Sequence, residues 1–219
     1  MLNIGLNKQL DIEIYNAFYN LKIGGVDFGA KILQDHPDIT DETAKTYINN
    51  YYNEHQKDLA QAATETTKHF ESLQKPFFQY LENLFGIDFH QEIYQGFLSI
   101  FDCNPRFVEK GEFQIFYKRT IENKIGVIFH EVLHFAFFKY CDTKLSKQTA
   151  NLDKNSGPLW ELSEIFNVII MNEPEFQILI PRKEKLFYPD LEKTMDDLVI
   201  LWKKNNLEQF IIKGLKRLS

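Results

Sequence analysis

Residues 127–136 read Val-Ile-Phe-His-Glu-Val-Leu-His-Phe-Ala, which sets His130, Glu131 and His134 in the order His-Glu-x-x-His. Imidazoles at positions i and i+4 share one face of a helix, so both reach one tetrahedral ion at about 2.0–2.1 Å. Glu131, one residue on, points to the flank of that ion. A carboxylate there takes a proton from water held by the ion without ligating the ion itself. The expected chemistry is hydrolysis, with His130 and His134 as zinc ligands and Glu131 as general base. With 6 His in 219 residues, chance yields the bare pattern on the order of once per hundred such chains.

The flanking residues sharpen the pattern. From 125 to 138 every residue is apolar or Gly except His130, Glu131 and His134, so this helix is expected to be buried nearly all round. A buried carboxylate costs several kcal/mol, roughly, unless something compensates its desolvation, and a divalent cation does that. The competing reading makes the histidines hydrogen-bonded core residues and pairs Glu131 with a lysine. It leaves three polar groups converging for no physical reason.

The elements that must position these groups read as helix-dominated. Leu10, Ile14, Phe18 and Leu21 recur at helical spacing until Gly24-Gly25. Residues 40–73 lack Gly and Pro and predict one long or once-broken helix. Pro76 is expected to open a further helix that Gly86 closes. Segments 92–101 and 112–117 are β-branched and aromatic and read as two strands. Helical signals return at 120–141, 158–171, 190–204 and 207–218, with Thr120, Ser156, Asp190 and Asn206 as expected N-caps. Residues 142–157 form a polar loop beside the chemistry, and 151–157 read as a connector or a lid.

The formal charge of −6 supplies no basic field for steering toward nucleic acid, so none is expected as a partner. The basic run Lys213-Gly214-Leu215-Lys216-Arg217 complements a helix dipole. No apolar stretch reaches membrane-spanning length, since 165–171 is cut by Asn167 and followed by Asn172. The opening Met1-Leu2-Asn3-Ile4-Gly5-Leu6 lacks the charged and apolar regions of a signal peptide, which predicts a cytoplasmic protein. Cys103 and Cys141 are too few for a disulfide framework and are expected as thiols.

Residues 127–136 resemble the signature of the zincin metallopeptidases: Val127 three before the first His, uncharged Ile128, Val132, Leu133 and Phe135, and small Ala136. The resemblance implies a zincin-like, helix-dominated α+β fold with a small β-sheet preceding the motif helix. Length suggests one domain over 1–219, and the residue patterns divide it into a helical part at 1–86, strands at 92–117, metal-binding helices at 120–172 and C-terminal helices at 190–218. Phe137 and Tyr140 stand where metzincins carry a glycine and a third histidine, which excludes that subgroup. The gluzincins instead take a Glu from a second buried helix. Leu162-Ser163-Glu164-Ile165-Phe166 looks like the Leu-Asn-Glu-Gly-Phe of gluzincin aminopeptidases and implies Glu164 as third ligand. Glu161 is its rival, with Glu164 then accepting from a histidine N–H, and Asp142, Asp153 and Cys141 are further candidates. The implied activity is zinc-dependent hydrolysis of peptide bonds in a peptide or protein substrate. The alternative is a regulatory or peptide-binding protein of the same fold that does not cut. An amidohydrolase of the deformylase type would need a Cys-containing motif that the chain lacks.

Zincins bind substrate as a strand added to a sheet edge, and 112–117 is placed to supply that edge or else is a plain core strand. An oxyanion donor is also expected, for which Tyr117, Arg119, Tyr140, Tyr188 and His90 have the chemistry.

Overall fold

The computed structural model describes residues 2–89 and 91–218. The helix-dominated α+β expectation holds, with a small mixed sheet. The chain groups into two compact units, 1–75 with 91–129 and 76–90 with 130–219.

The first unit begins with β1 (Leu2–Leu6), α1 (Lys8–Phe18), β2 (Lys22–Ile23), β3 (Val26–Asp27), α2 (Phe28–Asp35) and α3 (Ala44–Glu54). It takes the first part of α4 (Gln56–Phe85), then β4 (Tyr94–Ser99), β5 (Arg106–Phe107), β6 (Glu112–Phe116) and the start of α5 (Ile121–Lys144). The sheet order is β1-β4-β6-β5. β1 and β6 both run parallel to β4, and β5 runs antiparallel to β6. β1 alternates Leu2, Ile4 and Leu6 with Asn3 and Gly5, a short period-2 signal that the sequence reading did not use.

The strand expected to offer a substrate edge is corrected here. β6 has β4 on one side and β5 on the other. Beyond β5, Gln114 N donates to Pro105 O at 2.9 Å and Phe116 N to Asn104 Oδ1 at 3.0 Å. The turn at Asn104-Pro105 folds back over that edge and uses the groups that an added strand would need.

α1 is fixed to the sheet by one buried carboxylate. Asp11 Oδ1 accepts from Ser99 Oγ at 2.6 Å and Gln114 Nε2 at 2.8 Å. Its Oδ2 accepts from Tyr52 OH at 2.7 Å and Ile100 N at 3.1 Å. Burial pushes the acid up and these four donors draw it part of the way back, to about 6.

The long polar helix breaks once, at His55, and α4 then runs on through Pro76. The helix expected to start at Pro76 is instead the continuation of α4. A proline removes one backbone donor, and the apolar stripe Phe77, Leu81, Phe85, all buried, carries the helix past it. Gly86, at φ 62°, ends it with its N–H on Glu82 O.

The second unit holds the end of α4, α5 from His130 onward, α6 (Ser146–Thr149), α7 (Gly157–Met171), α8 (Pro174–Gln177), α9 (Glu192–Lys203) and α10 (Leu207–Leu218). Its hub is Phe166 of α7, whose ring meets Phe85, Phe137, Trp202 and Phe210 at centroid distances of 5.1–6.0 Å. Gly214 lets α10 approach α7 closely, since a Cβ there would lie 2.7 Å from Leu162 Cδ1. Asn206 caps α10 through Gln209 N, and Thr120 caps α5 through Asn123 N. Ser156 does not cap α7, because its Oγ donates to Asp153, and Asp190 falls in a 3-10 turn ahead of α9.

Candidate metal centre

α5 is buried around most of its circumference, and its helical pitch stacks His134 one turn above His130. The two rings meet edge to face, with centroids 4.7 Å apart, and His134 also stacks on Phe138. α7, anchored by Phe166, brings Glu164 to the same place. His134 Nε2 lies 3.0 Å from His130 Nε2, His130 Nε2 lies 3.3 Å from Glu164 Oε2, and His134 Nε2 lies 3.5 Å from Glu164 Oε1. Relative exposure is 0% for His134 and 2% for Glu164.

These edges match the spacing a metal imposes. A tetrahedral ion with bonds of about 2.0–2.1 Å sets neighbouring ligand atoms about 3.3 Å apart. Protons alone serve the triangle poorly. One proton on His130 Nε2 bridges its two edges but leaves lone pairs of His134 and Glu164 facing each other across the third, whereas a cation meets all three. His130, His134 and Glu164 form a group that could hold a metal ion.

The electrostatics agree. Burial pulls the His130 imidazole down, but the hydrogen bond to Glu164 and the charges of Glu131, Glu164 and Glu184 outweigh it, and the net direction is upward. Carboxylates that stabilise a protonated imidazole create a negative potential that equally attracts a metal cation. Glu131, on the turn between the two histidines, is 5% exposed and outside the ligand group.

The remaining candidates lie elsewhere. Among the described residues, Glu161, Asp142, Asp153 and Cys141 do not join the group. Glu161 is half-buried one turn before Glu164. Asp142 pairs with Lys154 at 2.7 Å, while Asp153 accepts from Asn155 N and Ser156 Oγ, which closes 151–157 into a tied turn. Cys141 is a free buried thiol pushed up to about 12 by burial.

Of the proposed oxyanion donors, Tyr117 bonds Tyr51 through their hydroxyls at 2.8 Å and Arg119 holds Asp102, all within the first unit. Tyr140 packs on Phe85, and Tyr188 packs on Trp160, one turn before Glu164 on α7. His90 lies outside the described residues.

The sequence reading missed three participants. Asn167 of α7 donates from Nδ2 to the His130 carbonyl at 2.8 Å. Its signal was present, as a lone amide in an apolar run. Glu184 and Arg182, paired at 2.9 Å, sit in an irregular segment that has no periodic signal. Asn172 pins that segment, donating to Glu184 O and accepting from Glu184 N.

No helix among the described residues is long and apolar enough to cross a membrane. Comparison of the chain with protein-family models, with curated proteins and with solved structures finds no match.

Proposed function

We propose that this chain is a zinc-dependent hydrolase of the zincin type, gluzincin-like in its ligand set, that cleaves peptide bonds. The observation that carries the reading is the buried triangle of His130 Nε2, His134 Nε2 and a Glu164 carboxylate oxygen at metal-ligand spacing. Two imidazoles and one carboxylate form the donor set that catalytic zinc sites use while keeping a fourth position open. A zinc ion bound there supplies Lewis-acid polarisation of a carbonyl and lowers the pKa of water.

The chain's own part in the reaction falls to Glu131. Its carboxylate takes a proton from water as the water oxygen bonds to the peptide carbonyl carbon. The same oxygen of Glu131 then hands that proton to the leaving amine nitrogen as the C–N bond breaks. His130 and His134 keep their rings fixed throughout, which α5 ensures by burying them.

The test is Glu131→Gln, which keeps the shape and removes the base. The variant retains one zinc per chain by metal analysis and loses about 10²–10⁴-fold of the chelator-sensitive cleavage of a quenched peptide library. Cleavage by the variant at the wild-type rate would end the mechanism. Wild-type protein that binds zinc and captures peptides without cutting them is the outcome that favours the regulatory alternative.

A further inference from the structure

Asn167 is fully buried, and it stands three residues after Glu164 on α7. Residues three apart share a helix face, so the amide and the carboxylate are presented together toward α5. Both meet it at His130: Glu164 at the ring Nε2 and Asn167 at the backbone carbonyl.

Asn167 and His130 each leave one atom over. Asn167 Oδ1 is buried with no hydrogen-bond partner, and so is His130 Nδ1. Buried polar atoms in folded proteins are nearly always bonded, and these two are complementary. An amide oxygen only accepts. A neutral imidazole carries one proton, and once Nε2 gives its lone pair to a metal that proton sits on Nδ1, which must then donate.

We infer that Asn167 is a positioning residue for the metal centre, its Oδ1 accepting the Nδ1–H of His130 through one buried water, while its Nδ2 keeps α5 in register with Glu164. The inference rests on the metal-centre reading above. Glu184 is the rival acceptor, since its Oε2 is also buried without a hydrogen bond, but that oxygen already faces Arg182 at 2.9 Å.

The experiment titrates zinc alone into the full-length chain as wild type, Asn167→Leu, Asn167→Asp and Glu184→Gln. It also records the exchangeable imidazole N–H resonance of His130 in the cobalt-substituted protein. Asn167→Leu is expected to lose about 10–100-fold in zinc affinity and to lose the protected resonance. Asn167→Asp keeps an acceptor for the Nδ1–H but gives up the donor to the His130 carbonyl, so it is expected to keep the protected resonance and to bind zinc more tightly than Asn167→Leu, while Glu184→Gln stays within about threefold of wild type with the resonance intact. Asn167→Leu binding zinc like wild type, Asn167→Asp losing the resonance as Asn167→Leu does, or the resonance vanishing only in Glu184→Gln each overturns the assignment. Should Asn167→Leu not fold, Asn167→Asp and the wild-type resonance decide: an unprotected His130 N–H in wild type overturns it. A wild-type chain that takes up no zinc removes the metal centre itself, which separates that failure from this one.

Discussion

The two units each bury a carboxylate, and each does so differently. Asp11 is enclosed by four donors from the chain, two on each oxygen. Glu164 is enclosed as deeply but lies 3.3 and 3.5 Å from two imidazole nitrogens, in a group that could hold a metal ion. The first acid completes a structure that the chain can finish unaided. On the proposed reading the second is one side of a cage, because a carboxylate desolvated beside two imidazoles gains most when a cation shares the space. Burial of an acid does not by itself mark chemistry; the kind of atom set against it does.

The sharpest way to break this comparison is to remove the second acid. Glu164→Gln should weaken zinc binding by at least about 100-fold, since even outer partners of metal ligands are worth 10–100-fold. A chelator competition measures it. Stripping zinc should lower the wild-type melting temperature, by an amount equivalent to about 2.7 kcal/mol when free zinc had stood at 100 times its Kd, and leave Glu164→Gln unmoved.

Asp11→Asn probes the other side. An amide offers one acceptor oxygen where four donors converge, so stability should fall by about 3 kcal/mol at about pH 5 in urea denaturation, with zinc stoichiometry unchanged. The pH dependence has a definite sign. The native acid, raised to about 6 from 3.8, holds its proton more tightly than the unfolded chain does. Its contribution is full below the unfolded value and drains away as pH rises through about 6. The stability gap between wild type and Asp11→Asn should narrow by about 1 kcal/mol from about pH 5 to about pH 7.5. A gap that widens over that range would show that the four donors outweigh burial.

Gly214→Ala gives the smallest effect and asks whether packing holds α7 in place. The added methyl meets Leu162, and the crowding outweighs the gain in helix propensity. The expected loss is about 1 kcal/mol in stability, with zinc binding weakened by no more than about tenfold.

What was legible in the sequence follows from range. The helical pitch alone fixes His130 against His134, so five residues carry their geometry. Glu164 was legible as an acid embedded in an apolar helix, but its preference over Glu161 depends on which face α7 turns inward, a matter of tertiary packing around Phe166. Asp11 was invisible, because in Lys8-Gln9-Leu10-Asp11 it reads as part of a solvated face. Its donors come from residues 41 to 103 positions away. The cover over β6 was equally hidden, since Asn104-Pro105 signals a turn without saying where the turn lands.

The pairing of β1 with β4 bears on how the chain assembles. Leu2 to Leu6 align with Tyr94 to Leu98, so the strand made first has its partner some 90 positions later. At about 5–20 residues per second of synthesis, β1 spends about 5–20 s without the neighbour that completes it. Pairing across such a separation closes a long loop and slows folding. The first unit should therefore fold late, once β4 and β6 have both emerged, with the opening strand as an apolar segment in need of shelter until then.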